Sequence, residues 1–157
     1  MRTAQYVLTG LSAGSLYALV ALGIVLIYRA TRILNFAHGD VATFGTFVAL
    51  ALLGRGVPFS GALLLSLLAG GALAVAFYFG VLVPAQRRDA NLLGQVILTL
   101  GLALILQGII TAVWGAEPLP FPFPISPTRT FTLGGVVVSH LALATLAVGV
   151  VGSVLLY

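Results

Sequence analysis

The chain has 157 residues, of which 61% are hydrophobic and 6% are charged, whereas about a quarter of the residues in ordinary soluble domains are charged. So few charges cannot cover a water-soluble fold, and the composition predicts an integral membrane protein. The net charge of +4 comes from seven basic and three acidic residues spread along the chain, which leaves no patch for nucleic acid. The absence of cysteine excludes disulfides and cysteine-based metal sites.

Four apolar stretches are long enough to cross about 30 Å of hydrocarbon at about 1.5 Å per helical residue. They predict transmembrane helices over about residues 6–28, 61–83, 92–113 and 136–157. The first stretch is too long for the apolar region of a signal peptide and ends without a small-residue cleavage site, so we interpret it as a retained helix.

A shorter apolar stretch lies between the first two, at residues 41–53. As a helix it covers only about 20 Å, so it crosses the membrane only if it starts near Ile33. The second span is therefore predicted at 33–53 and broken near its start, where the polar segment 35–40 enters the membrane. The fold class is predicted to be all-α: one transmembrane domain over residues 1–157, with about five spans.

Irregular backbone at membrane depth is expected only where protein or a water-filled cavity surrounds it. Two interpretations of the polar side chains remain open: they support the broken helix, or they line a path for solute. Asn35 is a good residue for a helix start, and a lone histidine such as His38 is more often structural than a ligand. Asp40 suits the positive end of the following helix, and Gly39 permits a backbone turn.

Two predicted helices carry small residues at four-residue spacing, a pattern that lets helix backbones approach closely in lipid. We interpret both as packing faces. The first stripe is Gly10, Gly14 and Ala18, and the second is Ala62, Ser66, Gly70 and Ala74.

The fourth span carries a polar row at the same spacing: Gln95, Thr99, Ala103, Gln107 and Thr111. Such a row either hydrogen-bonds to neighbouring helices or lines a path. The sequence leaves both alternatives open.

The connection from Trp114 to about Gly135 is rich in proline and phenylalanine. This composition predicts stiff, extended, polyproline-like backbone. The loop is either a rigid connector or a docking surface for a partner.

Catalytic machinery is missing from the sequence. There is no lysine, so no phosphate-binding loop ending in Gly-Lys-Ser/Thr exists. Asp40, Asp89 and Glu117 are scattered and predict no carboxylate pair for acid–base chemistry. We therefore predict a non-enzyme with no catalytic residues, no metal site and no cofactor.

Leu-Ile-Tyr at residues 26–28, followed by Asn-Phe-Ala-His-Gly-Asp at 35–40, resembles the membrane permease of branched-chain amino-acid ABC importers. The run 83–88 is similar to a degraded form of that family's Arg-Pro-Leu-Arg loop, and the runs 97–102 and 105–107 are similar to its following helix. The resemblance covers residues from about 8 to about 125. Because such permeases are roughly twice this length, the chain resembles the N-terminal part of one.

The resemblance implies import of branched-chain or related hydrophobic amino acids across the bacterial inner membrane by a multi-pass protein surrounded by lipid. It also implies a second permease subunit, cytoplasmic ATPase subunits and a periplasmic substrate-binding protein as partners. A structural or assembly subunit that carries no solute is the alternative, as is a channel-like protein. The candidate path residues are Asn35, Phe36, His38, Gly39, Asp40, Thr99 and Gln107.

The arginines predict the orientation. If the spans alternate, Arg29, Arg32, Arg87 and Arg88 share one side of the membrane, while the other three arginines share the opposite side. The positive-inside rule makes the first four topology anchors in the cytoplasm, which leaves the N-terminus outside.

Labelling of a single cysteine tests this orientation in the cysteine-free chain. A cysteine introduced at Thr128 should react with an impermeant maleimide in intact cells, because its loop is predicted to face outward. Reaction only after permeabilisation would reverse the orientation.

Overall fold

The structure, a computed structural model, describes residues 2–122, 130–133 and 136–156. Helices dominate it, with one short antiparallel hairpin before the last helix. The elements are α1 (Arg2–Thr31), α2 (His38–Gly54), α3 (Phe59–Phe77), a π-helical turn (Tyr78–Leu82), α4 (Val83–Arg87), α5 (Leu92–Trp114), β1 (Thr130–Leu133), β2 (Val136–Ser139) and α6 (His140–Leu156).

The all-α prediction is confirmed, since a helix falls on each of the five predicted spans. Three described helical segments are long and apolar enough to cross a membrane: Ala13–Thr31, Phe59–Arg87 and Leu92–Trp114. Helix α2 has 17 residues, or about 26 Å of helix. It is the shorter apolar helix expected after a break.

Contacts divide the chain into two compact units. The terminal unit comprises Met1–Ala30 and Phe123–Tyr157, and the central unit comprises Thr31–Pro122. A single transmembrane domain over 1–157 stays a prediction.

The core of the central unit lies where α2 and the segment before it meet α5. Small and aliphatic side chains fill this interface, because lipid offers apolar groups no hydrophobic reason to associate and close packing must hold the helices together. The buried residues are Ala37, Leu102, Ala103 and Leu106, packed against the partly buried Val41, Phe44, Leu73 and Phe77.

The small-residue stripe of α3 packs against α2, as predicted. Ala62 and Ser66 are buried. A Cβ atom placed on Gly45 of α2 would lie 3.5 Å from the backbone oxygen of Ser66, and one on Gly70 would lie 3.8 Å from Val41 Cγ1. These contacts bring the two backbones close together.

The third span continues past its predicted end at residue 83, to Arg87 at the end of α4. In the intervening π-helical turn the Val83 N–H donates to the carbonyl of Tyr78, five residues back. Pro84 has no N–H, and in an α-helix its ring would crowd the carbonyl of Gly80. The wider turn accommodates the proline without ending the helix.

The last predicted span starts later than expected. Residues 136–139 form β2, which pairs antiparallel with β1 in the register Thr130 with Ser139 and Leu133 with Val136. Three consecutive valines in β2 favour extended backbone, which explains why the helix begins only at His140. The hairpin also shortens the predicted polyproline-like loop, of which residues 123–129 and 134–135 lie outside the described residues.

In the terminal unit α1 and α6 approach closely at the glycines of α6. The Ser15 hydroxyl donates to the Thr145 carbonyl at 3.5 Å. A Cβ atom on Gly149 would lie 2.5 Å from Ser15 Cβ and 3.2 Å from the Ser15 carbonyl carbon, whereas one on Gly152 would meet Leu19 Cδ2 at 2.6 Å. The backbones at Gly149 therefore leave no room for a side chain.

The glycines of the α1 stripe behave differently from the prediction. A Cβ atom on Gly10 or Gly14 would have no atom within 4 Å among the described residues. Together with Ala18 they line an open apolar groove of about 560 Å³ beside Gly149 and Val150. This stripe is not a packing face within the described residues.

Gly149→Ala should destabilise the protein more than Gly152→Ala. The first substitution overlaps Ser15 close to its backbone, and overpacking of this kind costs about 1–3 kcal/mol. The second meets only the end of the flexible Leu19 side chain. The melting temperature of the detergent-purified protein measures both effects, and equal losses would contradict the close approach at Gly149.

Candidate functional site

The predicted break between the first two spans is confirmed, but it covers the non-helical residues 32–37 between α1 and α2 and not 35–40, because residues 38–40 already form the first turn of α2. Arg32 follows the end of α1 with φ of 58°, in the left-handed region that residues other than glycine seldom occupy. The Thr31 hydroxyl oxygen accepts from the Ile33 N–H at 3.3 Å, and Ile33 is 2% exposed. The Thr31 hydroxyl also donates to the Ile33 carbonyl at 3.4 Å, so the buried Ile33 side chain and local hydrogen bonds hold the start of this segment.

Asn35 organises the backbone that enters α2. Its Oδ1 accepts from the Ala37 N–H at 3.0 Å, and its carbonyl accepts from the His38 N–H at 3.4 Å. The carbonyl of the buried Ala37 then accepts from the Val41 N–H at 2.9 Å, the first bond of the helix. Asn35 therefore accepts hydrogen bonds from the backbone amides of the turn that leads into α2, as expected for an asparagine before a helix.

Thr99 of α5 satisfies another amide of the break. Its side chain is fully buried, and its Oγ1 accepts from the Phe36 N–H at 3.2 Å while donating to the Val96 carbonyl at 2.8 Å. The Thr99 hydroxyl thus supplies the hydrogen-bond acceptor that a backbone carbonyl would provide within a helix. The non-helical backbone is held by α5 at this point.

A second hydrogen bond joins the break region to α5 two turns further along the helix. Gln107 Nε2 donates to Asp40 Oδ1 at 2.9 Å. Asp40 also lies in the first turn of α2, where the partial positive charge of the helix end favours a carboxylate.

The polar row of α5 thus forms hydrogen bonds beyond its own helix at three of its positions. Besides Thr99 and Gln107, Gln95 Nε2 donates to the Ala90 carbonyl at 2.9 Å, and its Oε1 accepts from Gln86 at 3.3 Å. The hydrogen-bonding alternative is realised, whereas lining of a path stays a prediction.

The remaining predicted site residues differ in exposure. Phe36, Gly39 and Gln107 are exposed, and His38 and Asp40 are partly buried. Gly39 lies within the first turn of α2 and does not have a positive φ. The unusual backbone of the break therefore belongs to Arg32. Its residue type predicts a topology anchor and gives no indication of a left-handed conformation.

The four anchor arginines lie at helix ends. Arg29 is in the last turn of α1 and Arg32 follows that helix, while Arg87 ends α4 and Arg88 caps it. All four are exposed. These positions suit water-facing ends of spans, and the side of the membrane stays a prediction.

The chemistry that this site offers is binding. The described residues include no group of three or more histidine, aspartate or glutamate side chains able to hold a metal ion. One carboxylate, two carboxamides and one imidazole, those of Asp40, Asn35, Gln107 and His38, lie near an irregular backbone among apolar helices. Such groups exchange hydrogen bonds and compensate charge for a polar solute.

Apolar helices long enough to cross a membrane, with a polar non-helical segment between two of them, define a polytopic helical membrane protein. The comparisons specify it. A family model described as the permease component of branched-chain amino acid transport systems matches residues 6–157, and the chain belongs to this family. No solved structure gives a significant match.

Three curated relatives illustrate the likeness. The high-affinity branched-chain amino acid transport permease BraD of Pseudomonas aeruginosa is 29% identical over 87% of this chain and 48% of its own length. LivH of Escherichia coli is 30% identical over 75% of this chain and 41% of its own length. A probable LivH of Methanocaldococcus jannaschii is 37% identical over 62% of this chain and 31% of its own length. The chain spans less than half the length of these relatives.

Thr99→Val should destabilise the protein by about 1–3 kcal/mol, because it keeps the shape of the side chain but leaves the Phe36 N–H without its acceptor. Thr99→Ser should lose less, since it keeps the hydroxyl. Chemical denaturation of the purified protein measures the difference.

Thr46→Val is the matched control. The Thr46 hydroxyl is exposed and donates only to the Ala42 carbonyl of its own helix. If both valine variants unfold at the same denaturant concentration, Thr99 does not support the break.

Proposed function

We propose that this chain is part of the permease subunit of an ABC importer that moves branched-chain or related hydrophobic amino acids across the bacterial inner membrane. The observation that carries the proposal is the family match over residues 6–157. The polar break at residues 32–37 and the first turn of α2, both hydrogen-bonded to α5, support it, because a solute path requires polar groups at membrane depth.

In this importer, partner proteins carry out ATP hydrolysis and substrate capture. Without lysine this sequence contains no phosphate-binding loop, so cytoplasmic ATPase subunits hydrolyse ATP. A periplasmic binding protein delivers the amino acid, and a second permease subunit completes the path. Apolar side chains such as Leu104, 69% exposed, face membrane lipid or these protein partners.

The candidate residues fall into two groups according to their contacts. Asn35 and Thr99 hold the backbone, because their side chains satisfy the amides of Ala37 and Phe36. The path itself is lined by the residues whose side chains or backbone remain accessible: Phe36, His38, Gly39, Asp40 and Gln107.

Transport assays on the assembled complex test this division. His38→Leu should leave the complex folded and depress ATP-driven uptake of labelled leucine into proteoliposomes, because it removes a polar group from the path. Asn35→Leu should lower the melting temperature instead, because the Ala37 amide loses its acceptor. Asn35→Asp keeps that acceptor and should restore stability.

The only other histidine is the matched control. His140 lies at the start of α6, and His140→Leu should transport at the rate of the unsubstituted complex. Full uptake by His38→Leu would remove His38 from the path, and a complex of unsubstituted subunits that takes up no branched-chain amino acid would refute the proposed substrate.

A further inference from the structure

Asp40 is the one acidic residue that the structure places in a helix of a predicted span. The other two acidic residues, Asp89 and Glu117, lie in exposed connections. Asp40 lies in the first turn of α2 and is only partly exposed. Acidic groups at membrane depth are costly and are retained mainly where they face protein, water or a partner charge.

The contacts of Asp40 leave most of its hydrogen-bonding capacity unused. An ionised carboxylate offers about four acceptor sites on its two oxygens. In the described structure its side chain accepts one hydrogen bond, from Gln107 Nε2 at 2.9 Å. A carboxamide is neutral, so this bond orients the carboxylate without neutralising it. The end of α2 contributes only a partial positive charge.

Gln107, the hydrogen-bond partner of Asp40 on α5, also retains unused hydrogen-bonding capacity. Gln107 is exposed, and with its amide nitrogen directed to Asp40 its Oε1 remains a hydrogen-bond acceptor. The pair therefore presents several acceptor sites and one full negative charge on one surface of the central unit. A ligand that complements this surface is a cation with several N–H donors.

We propose that Asp40 and Gln107 form the subsite that receives the α-ammonium group of the transported amino acid. This inference rests on the proposed function and names which end of the zwitterion this chain binds. The ammonium donates to the free oxygen of Asp40 and to Gln107 Oε1, and its charge compensates the carboxylate at membrane depth. Gln107 thus contacts the ammonium through Oε1 and also holds the orientation of Asp40 through Nε2.

The competing role for Asp40 is a fastener between α2 and α5. Asp40→Asn separates the two roles, because asparagine keeps the oxygen that accepts from Gln107 and removes the charge. A fastener survives this substitution, whereas an ammonium subsite does not. Asp40→Glu keeps the charge and should retain part of the activity.

The decisive experiment uses small analogues that carry one end of leucine each. The purified, assembled complex is heated with 3-methylbutan-1-amine or with 4-methylpentanoate. The amine should raise the melting temperature in a concentration-dependent manner, as expected for a ligand of the folded state, and the carboxylate should not. Asp40→Asn should abolish this rise in melting temperature. Thr46→Val, which replaces an exposed threonine of the same helix, should leave the rise unchanged.

Uptake of labelled leucine supplies the second readout. Asp40→Asn should lower the maximal rate roughly tenfold or more, the loss expected for one hydrogen bond to a charged group. The binding-protein concentration that gives half the maximal rate should not change, because docking is unaffected.

Three outcomes would overturn the subsite: no stabilisation of the unsubstituted complex by the amine, equal stabilisation by the carboxylate, or uptake by Asp40→Asn at the unsubstituted rate. The amine test on the unsubstituted complex still tests the ammonium subsite if Asp40→Asn fails to assemble. An Asp40-dependent response to the amine without any leucine uptake would refute the proposed substrate and retain the ammonium subsite.

Discussion

The structure of the central unit depends on one constraint: backbone amides that leave a helix among apolar side chains must find acceptors inside the protein. Between α1 and α2 the chain meets this constraint with side chains. Asn35 accepts from the Ala37 amide and the buried Thr99 accepts from the Phe36 amide. Because Thr99 belongs to α5, the break cannot keep this geometry unless α5 stays in place.

Close helix packing is the second requirement, and small residues meet it. The approach of α2 to α3 at Gly45 and Ser66, and of α1 to α6 at Gly149, brings backbones together. In lipid, where apolar side chains gain little by leaving their surroundings, such close contacts provide much of the association energy. The bundle can therefore support polar groups such as Asp40 and Gln107 without a water-soluble core.

Family membership and the geometry of the break inform different aspects of function. The family match identifies a permease component. The geometry shows which polar groups already have partners and which retain free hydrogen-bonding capacity. Asn35 and Thr99 are engaged by the backbone of the break, whereas Asp40 and Gln107 bond to each other and retain further acceptor sites. The proposed contact with a solute rests on these remaining sites.

Much of the architecture follows from the sequence alone. Runs of about 20 apolar residues predict membrane helices because the bilayer sets their length. The short run at 41–53, preceded by polar residues, predicts a broken span for the same reason. The polar row of α5 is also visible as a four-residue periodicity.

Tertiary structure decided the features that depend on distant partners or on local backbone geometry. Periodicity cannot show that Thr99 meets Phe36 or that Gln107 meets Asp40, since these pairs are separated by 63 and 67 residues. Nor does residue type reveal the left-handed conformation of Arg32. In each case the conformation is selected by hydrogen bonds and packing that form only when the chain is folded.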